Sequence, residues 1–388
     1  MKILFLSSLC SPPLLPNLSP GNARILRALR AITDCRVIIP VPLFPGQGRR
    51  SEIPAIEADL DGSPIFHPRT FHIPGVARFL NAAFYALSVA PMVHAELARF
   101  RPDVILAPWV FPDATAAVAL GQAAGVPVVV RAMGSDINQV AHIPGRRTQI
   151  RWALRHAARV VAVSRALGNA IAALGVPDEK IAVVPTGVES AVFHPHERAL
   201  ARATLGLAPG PLVLLAARLS PEKGLVHLLA AMSLAGGRCP FHLVVVGDGA
   251  QRRELEQEVR RRGLHERVRF DGFQPEARMP FYYSAADLCC LPSLAEGWPD
   301  ALMESFACGC PAVASAVGGI PEIMALTGAG LTVPPANPDA LASALQTVLA
   351  REWDRPAIAR AMAAYTIAGT ARHYLDVCQN AVQSKVPT

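Results

Sequence analysis

LPSLAEGWPDALMESFACGCPAVAS, residues Leu291–Ser315, decides how the chain is read. An apolar, strand-like run ends at Leu291. A loop with Gly297, Trp298 and Pro299 follows, then a helix expected over Ala301–Ala307. Gly309 and Pro311 stop that helix, and Ala312–Ser315 begins another strand. Pro at the start and Gly past the end is the usual punctuation of a helix. Two carboxylates stand eight positions apart, Glu296 in the loop and Glu304 about one turn into the helix. An isolated Glu pair is ordinarily solvated surface charge. Here the neighbours are apolar, Gly and Pro, and the loop backbone has N–H groups to offer. The segment therefore reads as a polar cradle for a polyhydroxylated ligand.

Outward from this stretch, short β-branched runs alternate with helical ones. In the first half the strand candidates are Lys2–Ser7, Arg36–Ile39, Val104–Ala107, Val126–Val130, Val160–Val163 and Ala182–Val184. In the second they are Leu212–Ala217, His242–Val246, Val268–Phe270, Leu288–Leu291, Ala312–Ser315 and Leu331–Val333. Strands apolar throughout, not alternating, belong to parallel sheets covered on both faces. Each half thus reads as a doubly wound, Rossmann-like α/β domain. The expected division is a first domain over 1–190, a linker over 191–210 and a second domain over 211–357, with a last helix in 358–388. Ligands of such sheets sit at the carboxyl ends of the strands, here expected in an inter-domain cleft.

Arg218 ends one of these strands, and Pro221 and Lys223 are placed to open the next helix. A Lys near a helix N-terminus is electrostatically unfavourable unless an anion compensates it, so the pair marks an anion site. Gly247-Asp-Gly249 follows a strand and could begin a dinucleotide fingerprint, but Arg252 occupies the place of its third Gly.

The pattern E-G-aromatic-P-x-x-L-x-E, continued by A-C-G-x-P, resembles glycosyltransferase family 4, retaining enzymes of the two-domain GT-B fold. Arg218–Gly224, Val244–Gly249, Val268–Phe273 and Gly318–Glu322 fit in register, as do Gly134–Asp136, Val163–Arg165 and Pro185–Val188. The resemblance implies that Arg218 and Lys223 bind the diphosphate of a nucleotide-sugar donor, for which a UDP-sugar is expected. It implies that Glu304 binds the ribose and Glu296 the donor sugar, with N–H groups near Gly297 and Trp298 assisting. Gly21, Gly249 and Phe273 are further expected donor contacts. It also carries the last helix back onto the first domain. Met133 departs from the pattern, since a His commonly precedes this Gly-x-Asp and Met cannot make its hydrogen bond. Either Arg131 or Asp136 then takes the polar role, or donor recognition differs from the commoner pattern. Asp136 is equally read as a helix N-cap.

The implied reaction passes a sugar to a hydroxyl acceptor in surface polysaccharide or glycolipid assembly, with retained configuration and neither metal nor cofactor. Asp59 and Asp61 mimic a metal motif but read as solvated charge. Two other readings stay open: a non-catalytic sugar-nucleotide binder and a GT-B sugar-nucleotide epimerase.

Bulk composition agrees with a folded, two-domain chain: 388 residues, 52% hydrophobic and 17% charged. The net charge of +7 suits an anionic substrate or membrane; aromatics at 6%, with no Arg run among them, disfavour nucleic acid. Eight Cys without a CxxC pair read as buried thiols of a reducing, cytoplasmic compartment. The apolar start Met1–Cys10 is too short for a signal and reads as a strand. No clean run long enough to span a membrane occurs; the longest candidate, Phe79–Val93, contains Asn81, Ser88 and Pro91. Arg146, Arg147, Arg151, Arg155 and Arg159 recur near Trp152, which reads as a solvated helix face or as a peripheral contact with anionic lipid around a lipid-linked acceptor.

Overall fold

The structure, a computed structural model, describes residues 1–10, 20–43, 53–58, 63–71, 79–207, 209–235 and 240–384. It divides into two compact units, Met1–Pro185 with Ile367–Thr388, and Thr186–Thr366.

The first unit is built on an eight-stranded sheet. Its spatial order is Ile181–Val183, Arg159–Ala162, Val128–Ala132, Val104–Ala107, Lys2–Leu6, Asp34–Ile38, Pro64–Phe66 and Ile56–Ala58. Every pairing is parallel except that of the Ile56–Ala58 edge. Apart from Lys2 at the start of the first, the central strands are buried along their length because helices cover both faces, which is why they lack alternation. Val41–Leu43 and Arg69–Phe71 form a separate parallel pair. These, with Pro64–Phe66 and Ile56–Ala58 at one side of the large sheet, are three residues each and partly Pro-containing, too short to stand out as strands.

The second unit has a six-stranded, all-parallel sheet ordered Val268–Gly272, His242–Val246, Leu212–Ala216, Leu288–Leu291, Ala312–Ser315 and Gly330–Val333. Leu225–Ala235 and Pro338–Leu349 pack together, and Leu228, Leu229, Leu341 and Leu345 enter the core that fills the unit.

The stretch 191–210, read as a linker, contains the helix Arg198–Leu205. It packs on Met279–Ala285, and Arg202 reaches Asp287 at 2.9 Å and the Ala285 carbonyl at 3.0 Å. Arg198 pairs with Asp287 as well. The last helical region is two helices. Arg355–Ala361 stays in the second unit, whereas Ile367–Gln383 belongs to the first, where it packs on Pro20–Arg30. Among the described residues no helix is long and apolar enough to cross a membrane; Phe79–Val93 lies largely in the helix Asn81–Arg99, with Pro91 inside it.

The seven described cysteines are buried and free. Burial pushes the Cys290 and Cys289 thiols well above their ordinary range. Cys239, Asp59 and Asp61 lie outside the described residues.

Candidate functional site

Four loops leave the carboxyl ends of the second sheet and are tied to one another through backbone. The loop after Leu212–Ala216 makes a single 3-10 turn, Pro221–Lys223, and Gly224 then adopts φ 65°. The next helix begins only at Leu225, so Lys223 closes a turn instead of opening the helix. A Cβ on Gly224 would stand 2.1 Å from the Pro292 carbonyl oxygen, and Leu294 N–H donates to the Glu222 carbonyl at 2.7 Å. This close approach delivers Lys223 to the loop that carries Glu296.

Lys223 Nζ donates to Glu296 Oε1 at 2.7 Å, and Ser293 Oγ donates to the same oxygen at 2.7 Å. The side chain of Glu296 is 8% exposed and that of Lys223 21%, so the pair is largely out of solvent. The anion that compensates Lys223 is therefore Glu296. Arg218 is more open, 73% exposed, with Nη2 3.2 Å from Glu222 Oε1. Burial opposes the charge on Glu222, but the Ser220 hydroxyl, a backbone N–H and the nearby Arg218 and Lys223 hold its carboxyl below the usual range. Each cation of the expected diphosphate site thus faces a carboxylate.

Glu304 lies in the helix Asp300–Ala307, buried at 8% exposure, and accepts from the Tyr283 hydroxyl at 2.9 Å. The phenol has no exposure; burial and then the Glu304 charge push its ionisation well up. Gly297 accepts from Gly319 N–H at 3.0 Å, and the Glu296 carbonyl lies where a Cβ on Gly318 would be, 1.9 Å away. Among the described residues, the N–H groups of Gly297 and Trp298 have no partner. The Trp298 indole is different: it is buried and donates to the Thr186 carbonyl at 3.0 Å, so the side chain holds the loop instead of facing a ligand.

Two other expected donor contacts lie in the same unit. A Cβ on Gly249 would stand 2.3 Å from the Leu219 carbonyl oxygen, so loop-to-loop packing alone requires this Gly. Phe273, 57% exposed, follows the edge strand Val268–Gly272, which His242–Val246 separates from Leu212–Ala216. A cavity of about 690 Å³ in the same unit, lined by Phe193, His194, His196, Cys308, Arg355 and Arg360 among others, contains none of the predicted residues.

In the first unit, Arg131 and Asp136 are both buried and turned toward protein. Arg131 Nη1 donates to Asn22 Oδ1 at 2.6 Å, with the guanidinium 5.9 Å from the centre of the Tyr374 ring. Asn22 in turn donates to the Leu9 and Pro108 carbonyls. Asp136, with no exposure, accepts from the backbone N–H of Gly134 at 2.9 Å, Met133 at 3.1 Å and Ile137 at 3.1 Å. Burial pushes its carboxyl up, against these donors and a further one from Val110. Both residues tie loops together through these bonds. Gly21 is half-buried in Pro20–Arg30, next to Asn22.

Sequence reasoning passed over Asp113. It is fully buried and accepts from Ser8 N–H at 2.6 Å and Ser8 Oγ at 2.8 Å, which fixes the loop after the first strand. Burial lifts its carboxyl to about 6 despite the Ser8, Tyr85 and Ser7 donors. A lone acid inside the small, apolar run Val110–Ala117 was the available signal. For Tyr283 it was a phenol in an apolar helix, which must find an acceptor. Among the described residues no group of three or more His, Cys, Asp or Glu could hold a metal.

Residues 199–366 match the family model of glycosyl transferases group 1, and residues 23–192 that of glycosyltransferase family 4. The chain belongs to the family 4 glycosyltransferases. It is 33% identical over 221 residues to a 2-deoxystreptamine glucosyltransferase of Streptomyces kanamyceticus, covering 55% of this chain and 57% of that one. The chain therefore spans about half the length of that relative. Over 89% of this chain and 88% of the other it is 27% identical to TuaC of Bacillus subtilis, a putative teichuronic acid biosynthesis glycosyltransferase. Its fold matches that of Anabaena HepE, solved in complex with UDP, with TM-score 0.73 at 22% identity, over 97% of this chain and 99% of that one. The fold is GT-B.

Proposed function

We propose that the chain transfers a sugar from a nucleotide-diphosphate sugar to a hydroxyl of a glycan or lipid-linked acceptor, in surface polysaccharide or glycolipid assembly. The observation that carries this reading is the Lys223–Glu296 contact of 2.7 Å at the carboxyl end of the strands. A cation and a carboxylate that neutralise each other can be parted by one ligand bearing both phosphate and sugar hydroxyls. Lys223 then turns to the phosphate, and Glu296 accepts from the sugar. Arg218 joins from its exposed pair with Glu222, and exposed pairs of this kind are weak enough to open readily. The UDP bound to HepE and the teichuronic role given to TuaC support a UDP-sugar and a polysaccharide context.

In this scheme the bond from the anomeric carbon to the diphosphate oxygen breaks while the acceptor oxygen bonds on the same face, retaining configuration. The acceptor's proton passes to the leaving phosphate. Arg218, Lys223 and the N-terminal end of Asp300–Ala307 offset the charge on that group, so the scheme requires no metal. Glu296 positions the sugar.

The test is thermal stabilisation by UDP, GDP and ADP. One of them at 100 times its dissociation constant should stabilise the wild type by roughly 2.7 kcal/mol, and Lys223→Ala should abolish the shift. If none stabilises the wild type, the donor site is wrong. Turnover in EDTA, with product configuration read by NMR, checks the metal-free and retaining steps. A non-catalytic binder is the second reading, favoured by Met133, whose side chain offers no donor and whose N–H is taken by Asp136. Slow release of free sugar from donor alone separates the two; an epimeric nucleotide sugar would mark an epimerase.

Peripheral membrane contact is part of the proposal, through a smaller surface than the Arg series suggested. Arg151 Nε donates to the Leu174 carbonyl, Arg146 lies over Phe111 and Arg159 sits in a strand. Arg147 is exposed beside Ile143, and Gly145 abuts Phe79. Phe79, Leu80 and Ile143 are 43%, 40% and 41% exposed, an apolar edge with a cation suited to anionic lipid. Wild type should sediment with phosphatidylglycerol vesicles at low salt, and Phe79→Asp with Arg147→Glu should stay in solution. Wild type that stays in solution refutes the contact.

A further inference from the structure

Glu304 has several side-chain rotamers open to it in a helix, and a carboxylate that receives sugar hydroxyls must be held in one of them. The residue that holds it comes from another helix. Tyr283 in Met279–Ala285 has no exposure and donates to Glu304 Oε2 at 2.9 Å. That helix is itself anchored. Arg355 donates to the carbonyls of Ala286 at 2.8 Å, Tyr283 at 3.2 Å and Ser284 at 3.2 Å, and the Phe193 ring lies 6.3 Å from that of Tyr283.

Resting on the donor-site reading above, we propose that Tyr283 is the positioning residue for nucleoside recognition, committing Oε2 of Glu304 to the protein and thereby aiming the carboxylate at the ribose hydroxyls. Tyr283 touches no substrate; it acts through Glu304. Its contribution therefore belongs to the part of affinity that depends on the ribose hydroxyls, and not to the part that depends on the diphosphate.

The experiment uses the full chain and whichever of UDP, GDP or ADP binds tightest. Dissociation constants are measured for it, for its 2′,3′-dideoxy form and for inorganic pyrophosphate, on wild type and Tyr283→Phe, with the melting midpoint followed alongside. Removing one hydroxyl leaves the core filled, so the variant is expected to fold. The proposal expects the ribonucleotide to bind about tenfold more weakly to the variant, the loss of one hydrogen bond to a charged group, with the other two ligands unchanged. In a cycle with Glu304→Gln, Tyr283→Phe should then add little further loss. Equal weakening of all three ligands would mean that Tyr283 merely supports the fold, and an unchanged ribonucleotide affinity would mean that it supports nothing at the site; either result overturns the proposal. A wild type that binds ribo and dideoxy forms alike fails differently, since the assignment of Glu304 to the ribose is then at fault and takes the proposal with it.

Discussion

A buried carboxylate is costly unless donors face it, and in the first unit Asp113 and Asp136, both without exposure, are each turned toward backbone N–H groups. Asp113 has the clearer consequence. Its folded carboxyl sits at about 6, against an ordinary 3.8. Between those values the folded chain keeps a proton that the unfolded chain releases. Stability is therefore greatest below pH 4 and falls as pH rises through 6, by roughly 3 kcal/mol from this group alone. Asp113→Asn should flatten that fall, read from urea unfolding at a series of pH values; an unchanged slope would assign it to other groups. Residue identity was legible here, but orientation was not. Arg131 and Asp136 stand beside a recognisable motif, and a charged side chain in such a place reads the same whether it faces a ligand or its own loop. Their partners in the folded chain are Asn22 and the N–H groups of Met133, Gly134 and Ile137.

Loops at the carboxyl ends of strands act as elements because their backbones touch. Gly224 has φ 65° and no room for a Cβ, whereas Gly263 has the same φ 65° and nothing within 4 Å. The comparison separates strain from contact. Gly263→Ala should cost about 1–2 kcal/mol, the ordinary penalty of left-handed backbone. Gly224→Ala should cost on the order of 2–4 kcal/mol, since it also pushes the Lys223 turn off Pro292. Melting midpoints of the two variants check this, and equal losses would remove the case for contact. The strands themselves were legible from the sequence because buried parallel strands are continuous apolar runs. Missing were the three-residue strands near the first sheet's edge, where neither length nor pattern rises above loop. The place of Lys223 was missed for a related reason: a 3-10 turn closed by Gly224 and a helix opened by Pro221 share one punctuation.

On the scale of the molecule, the chain leaves the first unit at Pro185 and returns at Ile367. Val188 and Thr366 form a parallel bridge, and Val188 N–H donates to the Tyr365 carbonyl at 2.8 Å, so the outgoing and returning segments run side by side in the second unit. The returning helix is no appendage. Ala371, Tyr374 and Cys378 have no exposure and belong to the core of the first unit. Tyr374→Ala should therefore lower its stability by about 3–5 kcal/mol, the usual loss for a buried aromatic, and should also loosen Arg131. Urea unfolding measures it; an unchanged midpoint would mean that the helix only rests on the surface. By itself the sequence determined two parallel α/β units, the family and the positions of the acidic and basic residues, because periodicity and motif spacing are local properties of a chain. Tertiary structure alone decided that Lys223 meets Glu296, that Tyr283 holds Glu304, and that Arg131 and Asp136 face inward. Each of those depends on where one element ends against another, and a side chain's partner far along the chain leaves no mark in its own neighbourhood.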